Sequence, residues 1–164
     1  MSREDVETLR GLYARWEKGD FFTPEAFDPQ VEFVRAGSFD DPSALSGSWR
    51  GTDAMWGALS EWLQAWKDVH YTAEQFVEVQ DRVLVLSRQT ARGKATGLSL
   101  EREQADVFTL RGGKIVRWAI YWNRSEALAE FVYLIHHHRE LVERSQPVVA
   151  ELADRLNTRV DAQA

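Results

Sequence analysis

The sequence contains no cysteine and no long apolar run, and each absence excludes a class of protein. Without cysteine, the 164 residues can form no disulfide, no thiolate metal site and no cysteine nucleophile. No apolar stretch approaches the roughly 18 residues that a membrane-spanning helix requires. The charged start of the chain, residues 1–5, is followed by no apolar run, so we expect no signal peptide. Together these absences predict a cytoplasmic protein.

The chain also has no cluster of Lys or Arg, and its formal net charge is −6 at pH 7. Because binding to phosphate groups needs a concentrated basic surface, neither nucleic acid nor an anionic membrane is an expected partner. The hydrophobic content of 44% and the charged content of 28% are ordinary for one globular domain. Seven Trp and eight Phe are unusual, because large flat side chains fill cores and also line concave ligand sites.

Apolar residues at helical spacing predict two helices in the N-terminal part of the chain, and Thr23-Pro24 predicts a short helix between them. Leu9, Leu12, Tyr13 and Trp16 form one face of the first of them. The predicted elements are, in order, a first helix between Ser2 and Gly19, a short second helix from Thr23-Pro24, a strand at residues 31–35, a loop at residues 36–51, and a third helix capped by Thr52 or Asp53.

Four long strands joined by short turns are predicted next. The pair Gly112-Gly113 is a strong signal for a two-residue hairpin before the last of them. Short turns favour an antiparallel meander, and the separation of helices from strands indicates an α+β fold. The predicted strands cover residues 69–79, 83–92, 98–110 and 114–122.

Alternation along the last two strands assigns each side chain to a face of the sheet. Asp106 falls on the same face as Phe108 and Leu110. In the final strand, Val116, Trp118, Ile120 and Trp122 are predicted to share one face, and Arg117, Ala119 and Tyr121 the other.

From Arg124 onward the pattern is helical again. Residues 124–160 contain two amphipathic segments, with a break at residues 145–147. Because such segments are too apolar to stay unpacked, we expect them to lie on the edge of the sheet or on a partner subunit. The chain is therefore divided into a main domain, residues 1–130, and a C-terminal helical extension of the same domain, residues 131–164.

Three phrases carry a family resemblance: Tyr-Ala-Arg-Trp-Glu-Lys-Gly-Asp at residues 13–20, Trp-Arg-Gly at residues 49–51 and Leu-Arg-Gly-Gly-Lys-Ile-Val-Arg-Trp at residues 110–118. With the order of elements, they resemble the nuclear transport factor 2-like superfamily, and within it the SnoaL-like polyketide cyclase and ketosteroid isomerase-like branch. The resemblance covers residues 3–130. It implies a curved sheet with a cone-shaped pocket between its inner face and the first and third helices, and a homodimer joined through the outer face of the sheet. We expect no cofactor. This fold hosts enzymes and pure binding domains alike.

Asp106 is the first candidate for catalysis. A carboxyl group beside Phe108 lies in an apolar setting, which raises its pKa and makes it useful as an acid near neutral pH. In the steroid isomerases that the chain resembles, the matching strand position carries the acid that donates a hydrogen bond to the developing oxyanion. The alternative is a structural salt bridge of Asp106 with Arg88 or Arg102.

The match to the steroid isomerases is incomplete. Those enzymes carry their proton-abstracting Asp near the end of the first short strand, where this chain has Phe33 after Val31-Glu32. Their tyrosine on the first helix is also offset by one position from Tyr13. An acid without a base is half of an acid–base mechanism.

Arg88 is the second candidate. Limonene-type epoxide hydrolases, which share this fold, carry Arg-x-Asp and a second Asp after Trp-Arg. The matching positions here are Arg88-Gln89-Thr90 and Trp118-Ala119-Ile120, so both carboxylates are missing and that route to water activation is excluded. Arg88 is left to orient an anionic or carbonyl group, and the alternative is a structural ion pair.

The histidines do not predict a site. His70 stands alone at the start of a strand, which is typical of an exposed residue. Residues 136–138 are all histidine, but adjacent helical positions point about 100° apart and cannot share a metal ion. We therefore predict no metal site.

The aromatic residues are the best indication of a ligand. We expect a pocket that binds a small, mostly apolar carbonyl compound such as a polyketide, terpenoid or steroid-like molecule. The leading hypothesis is an isomerase or cyclase that uses Asp106 and Arg88, and the alternative is a non-catalytic binding or assembly domain. The predicted ligand-binding residues are Tyr13, Trp16, Phe33, Trp56, Phe108, Trp118, Ile120 and Trp122.

Overall fold

The computed structural model describes residues 3–36 and 46–136, which form three α-helices and six strands. The predicted α+β class is confirmed. None of the described helices is long and apolar enough to cross a membrane. The elements are α1 (Arg3–Glu17), a 3₁₀ helix (Pro24–Ala26), β1 (Phe27–Ala36), β2 (Gly47–Arg50), α2 (Thr52–Ala65), β3 (Trp66–Val79), β4 (Arg82–Gly93), β5 (Ser99–Arg111), β6 (Lys114–Tyr121) and α3 (Arg124–His136).

The six strands form one open sheet in the order β2-β1-β6-β5-β4-β3. Strands β3 to β6 are an antiparallel meander, as predicted, and Gly112 and Gly113 make its last turn with φ angles of 56° and 74°. Strand β1, however, pairs parallel with β6. The prediction of a purely antiparallel sheet is therefore wrong, because the chain crosses from β1 through β2 and α2 to the far edge before it returns.

The helices and loop predicted before β3 are corrected in three places, because tertiary pairing overrides weak local signals. The second helix is a single 3₁₀ turn of three residues, and β1 starts directly after it at Phe27. Within the predicted loop, residues 47–50 form β2, which pairs with β1; residues 37–45 of that loop lie outside the described residues. The N-cap of α2 is Gly51, with a φ of 88°, and not one of the two residues that follow it.

The inner face of the sheet, defined as the face that carries Phe108, packs against α1 and α2. The predicted apolar face of α1 is confirmed, since its four residues are all buried in this core. Helix α2 contributes Met55 and Ala58. The larger buried members of the inner core are Leu9, Tyr13, Trp16, Phe27, Phe33, Val85, Phe108, Leu110, Ile115 and Trp118.

The outer face of the sheet carries a second core, which α3 covers. Phe131 of α3 is 1% exposed, and Ala119 and Tyr121 of β6 are buried in the same cluster. The helical prediction for the tail is confirmed for residues 124–136, and its remainder lies outside the described residues. Ala119 and Tyr121 are two of the residues that we expected in a dimer interface, and α3 of the same chain packs against both. A homodimer through the sheet stays a prediction.

A β-bulge changes the side of the sheet on which one residue of β6 lies. In β6, Arg117 pairs with Thr109, whereas Ile115 pairs with Leu110, so Val116 is the extra residue. Ile115 therefore points into the inner core, and Val116 does not belong to it. The prediction that Val116 shares a face with Trp118 is wrong, because simple alternation stops at a bulge.

Candidate functional site

Asp106 of β5 is buried on the inner face and accepts hydrogen bonds from four side chains. It is 0% exposed. Its Oδ2 accepts from the hydroxyl groups of Tyr13 at 2.7 Å and Ser87 at 2.8 Å. Its Oδ1 accepts from Trp118 Nε1 at 3.0 Å, and Gln104 Nε2 lies 3.2 Å from Oδ2. All four donors are neutral, so the carboxyl group is held without a counter-charge from any of them.

Four elements bring these donors together. Tyr13 comes from α1, and the other three come from the meander. Ser87 of β4 pairs across the strands with Gln104 of β5, two residues before Asp106 on the same face. Trp118 of β6 pairs with Phe108, the next inner-face residue of β5. The cluster around Asp106 therefore follows from strand register and from one helix packed on the sheet.

Burial raises the pKa of Asp106 above its ordinary value. The hydrogen bonds from Tyr13, Trp118, Ser87 and Gln104 act in the opposite direction, because they favour the charged form, but burial outweighs them. The predicted direction of the pKa change is confirmed. Asp106 is held by these neutral donors, and the guanidinium of Arg102 lies over the Trp122 ring at 4.4 Å from its centroid.

The raised pKa of Asp106 predicts a pH dependence of stability. A carboxyl group with a higher pKa in the folded chain binds more protons when folded, so stability falls as the pH rises from about 3.9, the unfolded value, through the folded pKa. Relative to Asp106→Asn, the wild-type free energy of unfolding should therefore decrease across this window and then level off. Burial raises the pKa values of the nearby Tyr13 and Tyr71, which titrate well above it.

Urea unfolding of both proteins at several pH values from about 4 to 7 measures this difference. The other carboxyl groups are common to both proteins and cancel in the comparison. The raised pKa of Asp106 would be contradicted if the difference in free energy of unfolding between wild type and Asp106→Asn stays constant with pH. It would also be contradicted if this difference moves in favour of the wild type as the pH rises.

Beside the Asp106 cluster, α1, α2, β3 and β6 enclose an apolar cavity. It has about 20 Å³ of room for water-sized molecules and about 300 Å³ of unfilled space when its mouth is included. The side chains from α2 that form one wall are half-buried, so this wall separates the cavity from solvent. The lining residues are Trp16, Phe21, Leu59, Trp62, Leu63, Tyr71 and Trp118.

Tyr71 of β3 is the residue of this lining that carries a hydroxyl group. Gln89 Nε2 donates to the Tyr71 hydroxyl oxygen at 2.5 Å, which leaves the hydroxyl proton to be directed elsewhere. Burial, and next the charge of Asp106, raise the pKa of Tyr71, so this hydroxyl is a neutral donor at physiological pH. Trp16, which also lines the cavity, has an Nε1 that is buried without a hydrogen-bond partner among the described residues. Tyr71 and Trp16 are therefore two lining residues that carry a hydrogen-bond donor.

The structure places all eight predicted ligand-binding residues in or against one inner cluster, but only two of them line the cavity. Trp16 and Trp118 are those two, with ring centroids 4.9 Å apart. Trp56 packs against Phe22 and Phe27, at the edge of the cluster. The predicted residues in or against the inner core are Tyr13, Trp16, Phe33, Trp56, Phe108, Trp118, Ile120 and Trp122.

Arg88 does not share a site with Asp106. It lies on the outer face, where its guanidinium contacts Glu74 at 3.0 Å, Glu101 at 2.6 Å and Glu103 at 3.1 Å. This is the ion-pair alternative of the sequence analysis. Its exposed surroundings and its distance from the inner cavity, across the sheet, give it no access to a ligand bound there.

Several functional candidates escaped the sequence analysis. Tyr71 could have been found, because it alternates with Val69 and Ala73 on the inner face of β3. Ser87 and Gln104 carried no signal, since their roles depend on the register of β4 and β5. His70 is exposed, and its Nδ1 lies 2.7 Å from the carbonyl oxygen of Glu17. Of the three adjacent histidines, two lie outside the described residues.

Comparisons with solved structures find the same fold in several proteins. An NTF2-like protein of unknown function from Burkholderia pseudomallei is 20% identical, with 79% of this chain and 97% of that chain covered and a TM-score of 0.63. TerC, co-crystallised with polyporic acid, is 20% identical, with 77% and 96% covered and a TM-score of 0.62. A protein described as a SnoaL-like polyketide cyclase, from Jannaschia sp. CCS1, is 14% identical, with 74% and 88% covered and a TM-score of 0.62. At these identities the similarity shows the fold alone.

The sequence itself matches one protein family. No curated protein matches the chain. The model of the SnoaL-like domain matches residues 9–118, a range that starts in α1, runs through α2 and the meander, and ends at Trp118. This range contains the four donors to Asp106 and every residue that lines the cavity. The chain therefore belongs to the SnoaL-like domain family.

Proposed function

We propose that this protein binds a small, mostly apolar carbonyl compound in the cavity beside Tyr71. The observation that carries the proposal is the character of the lining: its side chains are aromatic and aliphatic, and among them Tyr71 and Trp16 carry hydrogen-bond donors that an occupant can reach once the side chains move apart. Tyr71 has a hydroxyl proton to give, and the indole N–H of Trp16 has no hydrogen-bond partner within residues 3–36 and 46–136. Because an unmade buried hydrogen bond is costly, an occupant should supply an acceptor.

The acceptor is expected to be neutral. None of the residues that line the cavity is charged, so an anionic ligand would lose its hydration without gaining a counter-ion. A cation would meet no carboxylate there. The rings of Trp16 and Trp118 suit a flat molecule. A ketone, enone or quinone oxygen on a fused-ring or terpenoid skeleton meets these conditions, which is why polyketide, terpenoid and steroid-like compounds are the proposed class.

The size of the cavity limits the ligand and suggests how it enters. Its space of about 300 Å³, mouth included, is at the lower end for ligand sites. Only about 20 Å³ of this admits water-sized molecules, so the side chains must move apart for any organic ligand. Leu59, Trp62 and Leu63 of α2 are half-buried and form the wall nearest to solvent. We propose that a ligand enters by displacing these three. The co-crystallisation of TerC with polyporic acid supports small-molecule binding by this fold.

A matched pair of ligands tests the proposal. The ketone 1-tetralone and the hydrocarbon tetralin have nearly the same shape, but only the ketone can accept a hydrogen bond. The wild type should bind the ketone more tightly by roughly 2- to 10-fold, which corresponds to one neutral hydrogen bond. Titration calorimetry of both ligands measures the ratio.

Tyr71→Phe should remove this preference, because phenylalanine keeps the ring and loses the donor. Tyr133→Phe is the matched control, since Tyr133 is exposed on α3 and does not line the cavity. Equal affinity of the wild type for ketone and hydrocarbon would refute a carbonyl-binding site. An undiminished preference in Tyr71→Phe would refute the role of this tyrosine.

Catalysis by Asp106 is the second candidate function, and it is favoured by the burial that raises the pKa of this carboxyl. Asp106 does not line the cavity, but Tyr13 and Trp118 connect it to the lining, and Trp118 belongs to both. In this candidate Asp106, which is bonded to Tyr13, acts as a general acid: it gives a proton to the substrate and regains one from the same molecule as the product forms, so that an isomerisation or cyclisation needs no other proton source.

A cyclic β,γ-unsaturated ketone, 3-cyclohexen-1-one, serves as the test substrate, and conversion to the conjugated enone is followed by ultraviolet absorbance. Turnover that is lost in Asp106→Asn would establish the catalytic candidate. Ligand binding without turnover in the wild type would leave binding as the function.

A further inference from the structure

Arg124, the first residue of α3, reaches from the outer face into the centre of the sheet. Its side chain is 8% exposed. Its Nε donates to the carbonyl oxygen of Gln104 at 3.1 Å, and its Nη2 donates to that of Ser87 at 2.7 Å. The same guanidinium contacts Glu74 at 2.9 Å and Glu103 at 3.5 Å, so its charge is compensated. One arginine therefore binds the backbones of two neighbouring strands.

The two residues that Arg124 holds are also two of the donors to Asp106. Ser87 and Gln104 are opposite each other in the pairing of β4 with β5. Their carbonyl groups accept from Arg124, whereas their side chains reach Asp106 on the inner face, at 2.8 Å and 3.2 Å. The path from α3 to the buried carboxyl thus passes through only one residue in each strand.

We propose that Arg124 is a positioning residue for the Asp106 site, and that the docking of α3 on the outer face sets the hydrogen bonds which Asp106 receives on the inner face. Arg124 does not touch Asp106 and acts through Ser87 and Gln104. Trp118 joins Asp106 to the cavity wall, so the geometry of this cluster extends to the ligand site. The expected change in ligand binding rests on the proposed function, whereas the expected change in the hydrogen bonds to Asp106 does not.

Arginine is suited to this position because of its planar fork of five donors. Two of its nitrogen atoms satisfy the two carbonyl groups, and the remaining donors meet glutamates on β3 and β5. Lysine has a single nitrogen at the end of a flexible chain. It would keep the positive charge but would not hold both carbonyl groups in the same geometry.

The test measures the pKa of Asp106 in the ligand-free protein by carbon-13 NMR of its carboxyl group, which is assigned with Asp106→Asn. In Arg124→Met we expect this pKa to shift upward, because Ser87 and Gln104 move away and two hydrogen bonds that favour the charged form weaken. The side-chain amide resonances of Gln104 should shift as well.

Two further variants separate positioning from simpler effects. Arg117→Met is the matched control: Arg117 is also an outer-face arginine that pairs with α3, through Glu130 at 3.7 Å, but its ion pairs involve neither Ser87 nor Gln104. It should leave the Asp106 pKa and the Gln104 resonances unchanged. Arg124→Lys keeps the positive charge and should still shift both the Asp106 pKa and the Gln104 resonances. If Arg124→Met does not fold, Arg124→Lys is sufficient for the test.

Wild-type values of both signals in Arg124→Lys would overturn the proposal, because charge alone would then be sufficient. Equal shifts in Arg117→Met and Arg124→Met would also overturn it, since any loosening of α3 would have the same effect. Neither result depends on a ligand, so failure here is distinguishable from failure of the proposed function. If the proposal holds, Arg124→Lys should also weaken the binding of 1-tetralone, whereas Arg117→Met should not.

Discussion

Replacing Trp118 with alanine should lower the free energy of unfolding by about 3–5 kcal/mol, which is typical for removal of a buried aromatic side chain. Trp118 is 3% exposed, and its ring lies at the centre of the inner core. The neighbouring ring centroids are those of Phe33 at 4.8 Å, Trp16 at 4.9 Å, Phe108 at 5.8 Å and Phe27 at 6.0 Å.

The loss also has a polar part, because Trp118 Nε1 is a donor to Asp106. Trp118→Phe separates the two parts: it keeps most of the packing and removes the N–H. We expect Trp118→Phe to cost less than Trp118→Ala and to raise the pKa of Asp106, since a hydrogen bond to the charged form is lost. Urea unfolding measures the first effect and NMR titration the second.

Trp66→Ala is the control for this prediction. Trp66 is also a tryptophan with a stacked neighbour, Trp62 at 5.7 Å, but it is only half-buried. Trp66→Ala should lower the free energy of unfolding clearly less than Trp118→Ala does. Equal costs at the two positions would mean that the inner cluster around Trp118 is not the stability centre of the fold.

Replacing Phe131 with alanine is the second large effect, with an expected cost of about 3–5 kcal/mol. Phe131 is 1% exposed and anchors α3 to the outer-face core that includes Leu84, Val107 and Ala119. Truncation would leave a cavity between helix and sheet, because the strands cannot collapse to fill it.

Tyr133→Ala lies two residues away on the same helix, at a side chain that is 62% exposed, and should change stability by no more than about 0.5 kcal/mol. Thermal and urea unfolding of both variants give the comparison. Similar costs for Phe131→Ala and Tyr133→Ala would show that α3 does not dock through this face. That result would also remove the structural basis of the Arg124 proposal.

The centre of the site was predictable because it depends on local periodicity. Strand alternation placed Asp106 beside Phe108, and helical spacing placed Tyr13 and Trp16 on the buried face of α1. The hydrogen bond from Tyr13 to Asp106 then needed only α1 to pack on the inner face. The apolar setting of Asp106 and the direction of its pKa change followed from the same pattern.

The position of Arg88 was not predictable, because it depends on how two strands are aligned. Alternation along β4 puts Arg88 on the same face of the strand as Leu84 and Leu86. It does not say which face of β4 lies on the same side of the sheet as Asp106. The register answers this: Asp106 pairs with Val85, so the two lie on the inner face and Arg88 on the outer. A shift by one residue would have exchanged the faces.

The remaining errors came from irregularities and long-range packing. Val116 was assigned to the wrong face, because a bulge interrupts the alternation of β6. Strand β2 was taken for part of a loop, because it is only four residues long and turn-forming residues flank it. The amphipathic stripe of α3 showed that the helix must pack, but not that the outer face of its own sheet would receive it.

The most direct measurement of the central claim is a crystal structure of the protein with 1-tetralone. The account predicts that the rings of the ketone lie between Trp16 and the side chains of α2, with Leu59, Trp62 and Leu63 displaced. Its oxygen should lie about 2.5–3.0 Å from the Tyr71 hydroxyl oxygen, the range of an O–H···O hydrogen bond. A cavity that stays closed and empty at a saturating concentration of the ketone, or a ketone oxygen turned away from Tyr71, would contradict it.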